Sequence, residues 1–179
     1  FVDDDGYSVE ITEEPQRIVS LMPNITETLF ALGLGDRVVG VTDLCNYPAE
    51  VENIDKVGSA WILNTEVIVA LEPDLILTSE GTTQQDALDF FRDNGLTVAV
   101  INPLSLDEIE EAFRRVAKIA GVPENGEELA AKVRADREAF MDKVAAQEEN
   151  PAVFFMIDEE LYTVGDGVFM NDLITLAGG

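Results

Sequence analysis

The chain has 179 residues, 46% of them hydrophobic, enough to build one moderate domain, or one and a half small ones, around a real core. Its 36 acidic residues against 11 basic ones give a formal net charge of -25, which repels phosphate backbones and anionic membrane surfaces and excludes nucleic acid as a partner. There is no histidine, so Ser-His-Asp and Cys-His catalysis, His-ligated zinc and His general bases are excluded, and the single cysteine, Cys45, can form neither an intrachain disulfide nor a thiolate cage.

Apolar strand-like runs at 17–21, 37–41, 74–79 and 97–101 alternate with helical patterns at about 24–33, 64–71, 83–94 and 106–120. This is the βαβ rhythm of a parallel sheet. Turn signals fall between the runs: Gly33 and Gly35 close the first helix, Asn94-Gly95 the third, and Gly121-Val122-Pro123 follows the fourth. An α/β lobe therefore spans 1–122. A linker helix is expected over 123–150, with Asn125 as a cap three residues before Glu128 and an apolar stripe of Leu129, Val133, Phe140 and Val144. About 23 helical residues make a rod on the order of 35 Å, long enough to bridge two lobes. From 151 to 179 a strand over 153–157, a turn at Gly165-Asp166-Gly167 and a helix from Val168 to Leu176 read as the start of a second α/β lobe that is truncated here.

The acidic residues lie in short groups such as Asp3-Asp4-Asp5, Glu110-Glu111 and Asp158-Glu159-Glu160, as a solvated surface requires. With lysine only at Lys56, Lys118, Lys132 and Lys143, this carboxylate-rich surface resembles those of proteins from salt-loving organisms. Cys45 reads as a small buried hydrophobe. No apolar run approaches the roughly 18 residues of a membrane span. A start at Phe1 suits a mature protein whose export signal, and a lipid-anchoring cysteine, lay upstream.

No motif points to catalysis. Gly33-Leu34-Gly35 lies after a helix and before a strand, the reverse of a dinucleotide fingerprint, and Asp3-Asp4-Asp5-Gly6 lacks the alternating ligands of a calcium loop. Paired carboxylates are expected by chance in so acidic a chain. The chain reads as no enzyme, with no metal site and no cofactor of its own.

Three segments carry a resemblance: Arg17-Ile18-Val19-Ser20-Leu21 with Pro23-Asn24-Ile25-Thr26-Glu27; Val38-Val39-Gly40-Val41-Thr42 with the Asn46-Tyr47-Pro48 turn; and Asn64-Thr65-Glu66 leading to Glu72-Pro73-Asp74-Leu75-Ile76. In this order and spacing they resemble the two-lobed solute-binding proteins of ABC importers for cobalamin, ferric siderophores and haem. The resemblance implies capture of a metal chelate outside the cytoplasm and its delivery to a permease with its ATPase, the cobalt or iron belonging to the ligand. The Cys45-Asn46-Tyr47-Pro48 loop is similar to the cobalamin branch, with Leu44 where that branch has an aromatic.

Open parallel sheets bind ligands at the carboxyl ends of their strands. Asn24 follows the first strand and can offer an amide, cap the helix, or both. Leu44, Tyr47 and Trp61 fall in the loops where the family places its cleft walls, Trp61 being either wall or core plug. Glu80, after the third long strand, and Tyr162 complete the expected ligand set. Glu66 lies in the first turn of a helix, where the dipole alone favours a carboxylate. The resemblance implies that it docks on permease arginines. A competing reading is an assembly module that dimerises through an exposed strand at 153–157.

Overall fold

The computed structural model describes residues 1–59, 61–79, 85–147, 151–157, 162, 163, 165 and 168–179. Five parallel strands form one sheet in the order β3-β2-β1-β4-β5: β1 (Ile18–Ser20), β2 (Val38–Val41), β3 (Asp55–Lys56), β4 (Leu75–Thr78) and β5 (Val98–Val100). Each β-to-β step except β2 to β3 contains an α-helix: α1 (Pro23–Ala31), α2 (Thr65–Ala70) and α3 (Gln85–Asp93). Helices α4 (Leu106–Ile119), α5 (Pro123–Ala145) and α6 (Phe169–Leu176) follow the sheet.

The pleat sends alternate residues to opposite faces. Ile18, Leu75, Leu77 and Ala99 pack with Leu29 of α1, Leu32 just after it, and Val116 of α4. Val19, Ile76, Val98 and Val100 pack with Ile68 of α2 and Leu88 and Phe91 of α3. Both faces are covered, which is why β4 is apolar at three successive positions. Gly40 lies where α2 crosses the sheet, and a Cβ there would lie 2.7 Å from Leu71 Cδ1.

The strands and helices expected up to residue 120 form with ends shifted by at most two residues, and β3 is an addition. With only Asp55 and Lys56, both exposed, it has no apolar pattern to betray it. At the foot of the sheet the Glu72-Pro73-Asp74 break is a hydrogen-bonded joint. The Arg17 guanidinium donates to Leu71 O at 2.6 and 2.9 Å and to Glu72 O at 3.2 Å, closing the carboxyl end of α2. The Asp74 carboxylate accepts the Gln16 and Arg17 amides at 2.7 and 2.9 Å.

Helix α5 has the expected 23 residues but differs in two respects. It starts at Pro123 without a side-chain cap, and Asn125, expected to cap it, instead donates from Nδ2 to Leu32 O at the end of α1, at 2.8 Å. Its buried positions are Gly126 and Ala130 rather than the large residues of the stripe, of which Phe140 is exposed. Small residues win because α5 lies close against α4: a Cβ on Gly126 would fall 2.5 Å from Ala117 Cβ. Ion pairs flank this contact, Arg114 to Glu127 at 2.9 Å, Glu110 to Arg134, and Arg137 to Asp107 at 2.9 Å, in the order two antiparallel helices require. Glu110 is buried, and its hydrogen bond from Arg134 holds its carboxyl below the usual carboxylate range against the opposing effect of burial.

The strand expected at 153–157 is not formed. These residues carry no strand assignment, and Val153, Phe154, Met156 and Ile157 are exposed. Two contacts turn the segment back: Ile157 N–H to Tyr162 O at 2.8 Å and Thr163 Oγ1 to Phe155 O at 2.7 Å. An apolar run of this kind needs neighbouring strands to become one, and none pairs with it among the described residues. The helix after it starts at Phe169, one residue later than expected.

Candidate functional site

Every strand points its carboxyl end to the same side, so the loops after β1, β2, β3 and β5 gather there. After β1 the chain turns directly into α1 at Pro23, a residue suited to a first helical position because it has no N–H to satisfy. Asn24 is therefore inside the helix rather than its cap. Met22 occupies the cap position without a side-chain hydrogen bond, and Asn24 stands exposed with its amide available.

After β2 the chain makes a tight turn in which Cys45 N–H donates to Thr42 O at 3.0 Å, then passes a cis Tyr47-Pro48 peptide into a 3-10 turn at Ala49–Asn53. Lys56 at the end of β3 reaches back, its Nζ 2.7 Å from Cys45 O. Cys45 is buried, as expected of a small hydrophobe, and its burial turns Leu44 and Tyr47 outward. After β3 a hairpin bridges Gly58 and Leu63, with Ser59 N–H bonded to Ile62 O at 3.0 Å. Gly58 has φ +97 and a Cβ there would meet Ile62 O at 2.5 Å, so this turn demands glycine. The hairpin lifts Trp61 into solvent, 57% exposed, which ends the core-plug reading. It leads into α2, where Asn64 Oδ1 accepts the Val67 amide at 3.1 Å and Glu66 stands exposed in the first turn.

The loops after β2 and β5 border a cavity of about 550 Å³, walled otherwise by helices. Its wall includes Asn24 of α1, Tyr47 and Pro103 of the loops after β2 and β5, Ile109 and Phe113 of α4, and Phe169 of α6. Apart from Asn24, Glu27 and Thr28 the wall is apolar, suited to a large, flat, largely apolar ligand held by few polar contacts. A second groove, of about 650 Å³, lies between α4, α5 and α6. Its charged groups are already engaged: Arg137 pairs with Asp107, and Asp172 accepts the Leu106 amide at 3.4 Å.

Of the six residues expected to bind ligand, the cavity brings together Asn24 and Tyr47. Leu44, Trp61 and Tyr162 are exposed and outside its wall, and Glu80 lies outside the described residues. Pro103, Phe113 and Phe169 were not anticipated. The rule that selected Asn24 would also have selected Pro103, which follows β5 as Asn24 follows β1. Among the described residues no group of His, Cys, Asp and Glu is arranged to hold a metal ion, and no helix is long and apolar enough to cross a membrane.

Residues 18–179 match the family model described as Periplasmic binding protein. The chain belongs to this family. An uncharacterized ABC transporter substrate-binding lipoprotein of Bacillus subtilis, YvrC, is 34% identical over 97% of this chain and 57% of its own length. A vitamin B12-binding protein of Yersinia pestis is 29% identical over 92% of this chain and 59% of its own. Among solved structures, the apo form of the periplasmic haem-binding protein RhuT of Roseiflexus sp. RS-1 superposes with a TM-score of 0.83 at 32% identity, covering 92% of this chain and 64% of that one. The chain thus spans less than two thirds of the length of these family members. Their names are those of binding and transport proteins, in keeping with the absence of a catalytic motif in the sequence.

Proposed function

We propose that this chain is the cleft-forming part of an extracytoplasmic solute-binding protein that captures a metal chelate and hands it, unaltered, to an ABC importer. The observation that carries the reading is the apolar cavity at the carboxyl ends of the strands, in a member of a family whose similar proteins are named for vitamin B12 and haem. Cobalamin or another corrinoid is the favoured ligand, with ferric siderophore or haem next, the metal arriving as part of the cargo.

In this reading Asn24 and Tyr47 meet the ligand at the mouth and Phe169 closes over it from the second lobe. Leu44, Trp61 and Tyr162 extend the wall when a bulky ligand protrudes from the cavity, and Glu80 contributes a carboxylate to its binding. Helix α5, held along α4 by its close contact and three ion pairs, acts as a stiff connector. A preformed cleft keeps the ordering penalty of binding small, and release then requires the permease to part the lobes. Glu66 is exposed at the start of α2 on the mouth side and serves as the docking carboxylate for a basic permease surface. Self-association through residues 153–157 loses its basis, because they form no strand.

The test is equilibrium binding of cyanocobalamin, a ferric hydroxamate and haemin by the gene product that contains these residues. Each is followed by its own visible absorbance and by fluorescence of Trp61, the only tryptophan in this chain. Saturable one-to-one binding of one probe is the expected result. A folded protein that binds none of them would refute the reading.

A further inference from the structure

A row of small polar groups links the segments that carry two residues of the cavity wall, Asn24 and Tyr47. Ser20, Thr26, Thr42 and Cys45 have relative exposures of 0 to 1%. They come from the end of β1, the first turns of α1, the end of β2 and the loop after it. Ser20 Oγ lies 2.7 Å from Thr26 Oγ1, and Thr26 Oγ1 lies 3.2 Å from Cys45 Sγ. Cys45 Sγ lies 3.3 Å from Thr42 Oγ1, which is 3.2 Å from Leu21 O. Counting protons gives an order that satisfies every group: Ser20 donates to Thr26, Thr26 to Cys45, Cys45 to Thr42, and Thr42 to the Leu21 carbonyl. Met22 O, 3.3 Å from the Ser20 hydroxyl and 3.1 Å from that of Thr26, is a further acceptor on the same side.

The row crosses from one site loop to the other. Thr26 is two residues from Asn24 on α1, and Cys45 is two residues before Tyr47. Every polar atom of Cys45 is engaged: its N–H with Thr42 O, its carbonyl with Lys56 Nζ, and its sulfur with the hydroxyls of Thr26 and Thr42. A core that needed only to be filled would use Val or Ala at these positions. Burying four hydrogen-bonding side chains is costly unless each is paired, and a satisfied buried network defines one arrangement of the segments that contribute to it.

We infer that the Ser20-Thr26-Cys45-Thr42 row is the positioning device of the ligand mouth, locking the loop that carries Asn24 to the loop that carries Tyr47. It rests on the proposed function for its consequence in binding, but the lock itself can be measured without a ligand. None of its members lines the cavity, so they act through Asn24 and Tyr47.

Cys45 is the only thiol in the chain, so it reports on its own lock. The rate of its reaction with an aromatic disulfide that releases a coloured thiolate is measured for the wild type, Thr26→Val and Thr26→Ser across low urea concentrations. Valine keeps the shape and removes the hydroxyl, whereas serine keeps the hydroxyl. The lock predicts labelling at least about tenfold faster in Thr26→Val, the factor carried by one buried hydrogen bond, with little urea dependence, the mark of local opening. Thr26→Ser returns toward the wild-type rate. Thr42→Val, which cuts the row at its other end, carries the same prediction if Thr26→Val does not fold. Labelling that rises only in step with the loss of global stability, with the full urea slope of unfolding, would show a merely structural role and overturn the inference.

The second arm titrates cyanocobalamin and haemin into the gene product and the same variants. Binding weakened about tenfold in Thr26→Val and restored in Thr26→Ser supports the lock. Equal affinities in wild type and Thr26→Val would overturn it. Failure of the wild type to bind either probe would remove the proposed function, leaving the labelling series to decide the lock alone.

Discussion

Replacing Gly126 by alanine tests the packing of α5 most directly. The new Cβ would lie 2.5 Å from Ala117 Cβ, 3.2 Å from Arg114 Cα and 3.2 Å from Phe113 O, where carbon atoms prefer about 3.5–4.0 Å. Relief requires a shift of about 1 Å between the helices, since Ala117 has no rotamer to change and the other two atoms are backbone. Alanine returns at most about 1 kcal/mol of helix propensity, less so near the helix start, whereas overpacking of this kind costs about 1–3 kcal/mol. The shift also draws Arg134 from Glu110 and Asn125 from Leu32 O, hydrogen bonds worth about 1 kcal/mol each. The net expectation is a loss of about 1–3 kcal/mol in urea-induced unfolding followed by far-ultraviolet circular dichroism. In an Ala117→Gly background, which removes the opposing methyl, the same substitution should cost less by about 1 kcal/mol or more. An unchanged or raised midpoint for Gly126→Ala, or the same cost in both backgrounds, would refute the close-contact account.

Arg134→Gln should destabilise the fold at neutral pH. Because Arg134 lowers the folded-state pKa of Glu110, the pair's contribution is complete above the ordinary glutamate value of about 4.3 and is lost as pH falls through the lowered value. The gap between wild type and variant should therefore close in acid, and a gap independent of pH would contradict the pairing. Sodium chloride should raise the melting temperature between about 0.1 M and 1 M, over which the screening length falls from about 10 Å to about 3 Å and the repulsion of a net charge of -25 is damped. A flat response would show that the acidic surface is not self-repelling. Asn125→Leu should cost about 1 kcal/mol by leaving Leu32 O without its side-chain donor, read as a lowered unfolding midpoint, and no change would show that water replaces the amide.

The sheet was legible in the sequence because its signals are local. Leu75-Ile76-Leu77, bounded by Pro73-Asp74 before and Ser79 after, needs nothing distant to be read as a buried strand, and Asn64 announces α2 as a cap whose oxygen accepts the amide three residues on. What escaped reading depends on partners far away in the chain. Asn125 has the chemistry of a cap, yet its amide finds Leu32 O, 93 residues away. The α5 contact is made by Gly126 and Ala130, whose value lies in having little side chain, so a search for large apolar residues passes over them. The site shows the same division. Asn24 follows a strand and is legible from that rule, and Tyr47 from the family resemblance of its loop, whereas Phe113 and Phe169 enter the cavity wall only through the packing of α4 and α6.

The outer strands of the sheet are both closed to further pairing. At one edge β3 offers two residues, both charged and exposed. At the other the amino-terminal residues lie along β5, where Asp3 Oδ2 accepts the Val100 amide at 3.1 Å, Asp4 N–H donates to Val100 O at 3.1 Å, and Asp4 Oδ2 accepts the Asn102 amide at 2.6 Å. Arg92 of α3 fastens this clip, lying 3.5 Å from Asp3, 3.6 Å from Asp5 and 3.6 Å from the centre of the Tyr7 ring. The opening acidic triplet thus acts as a selvedge, finishing the margin of the sheet so that it cannot be extended by another chain's strand. A protease cut within the first few residues would unfasten that margin, turning a finished border into an open seam.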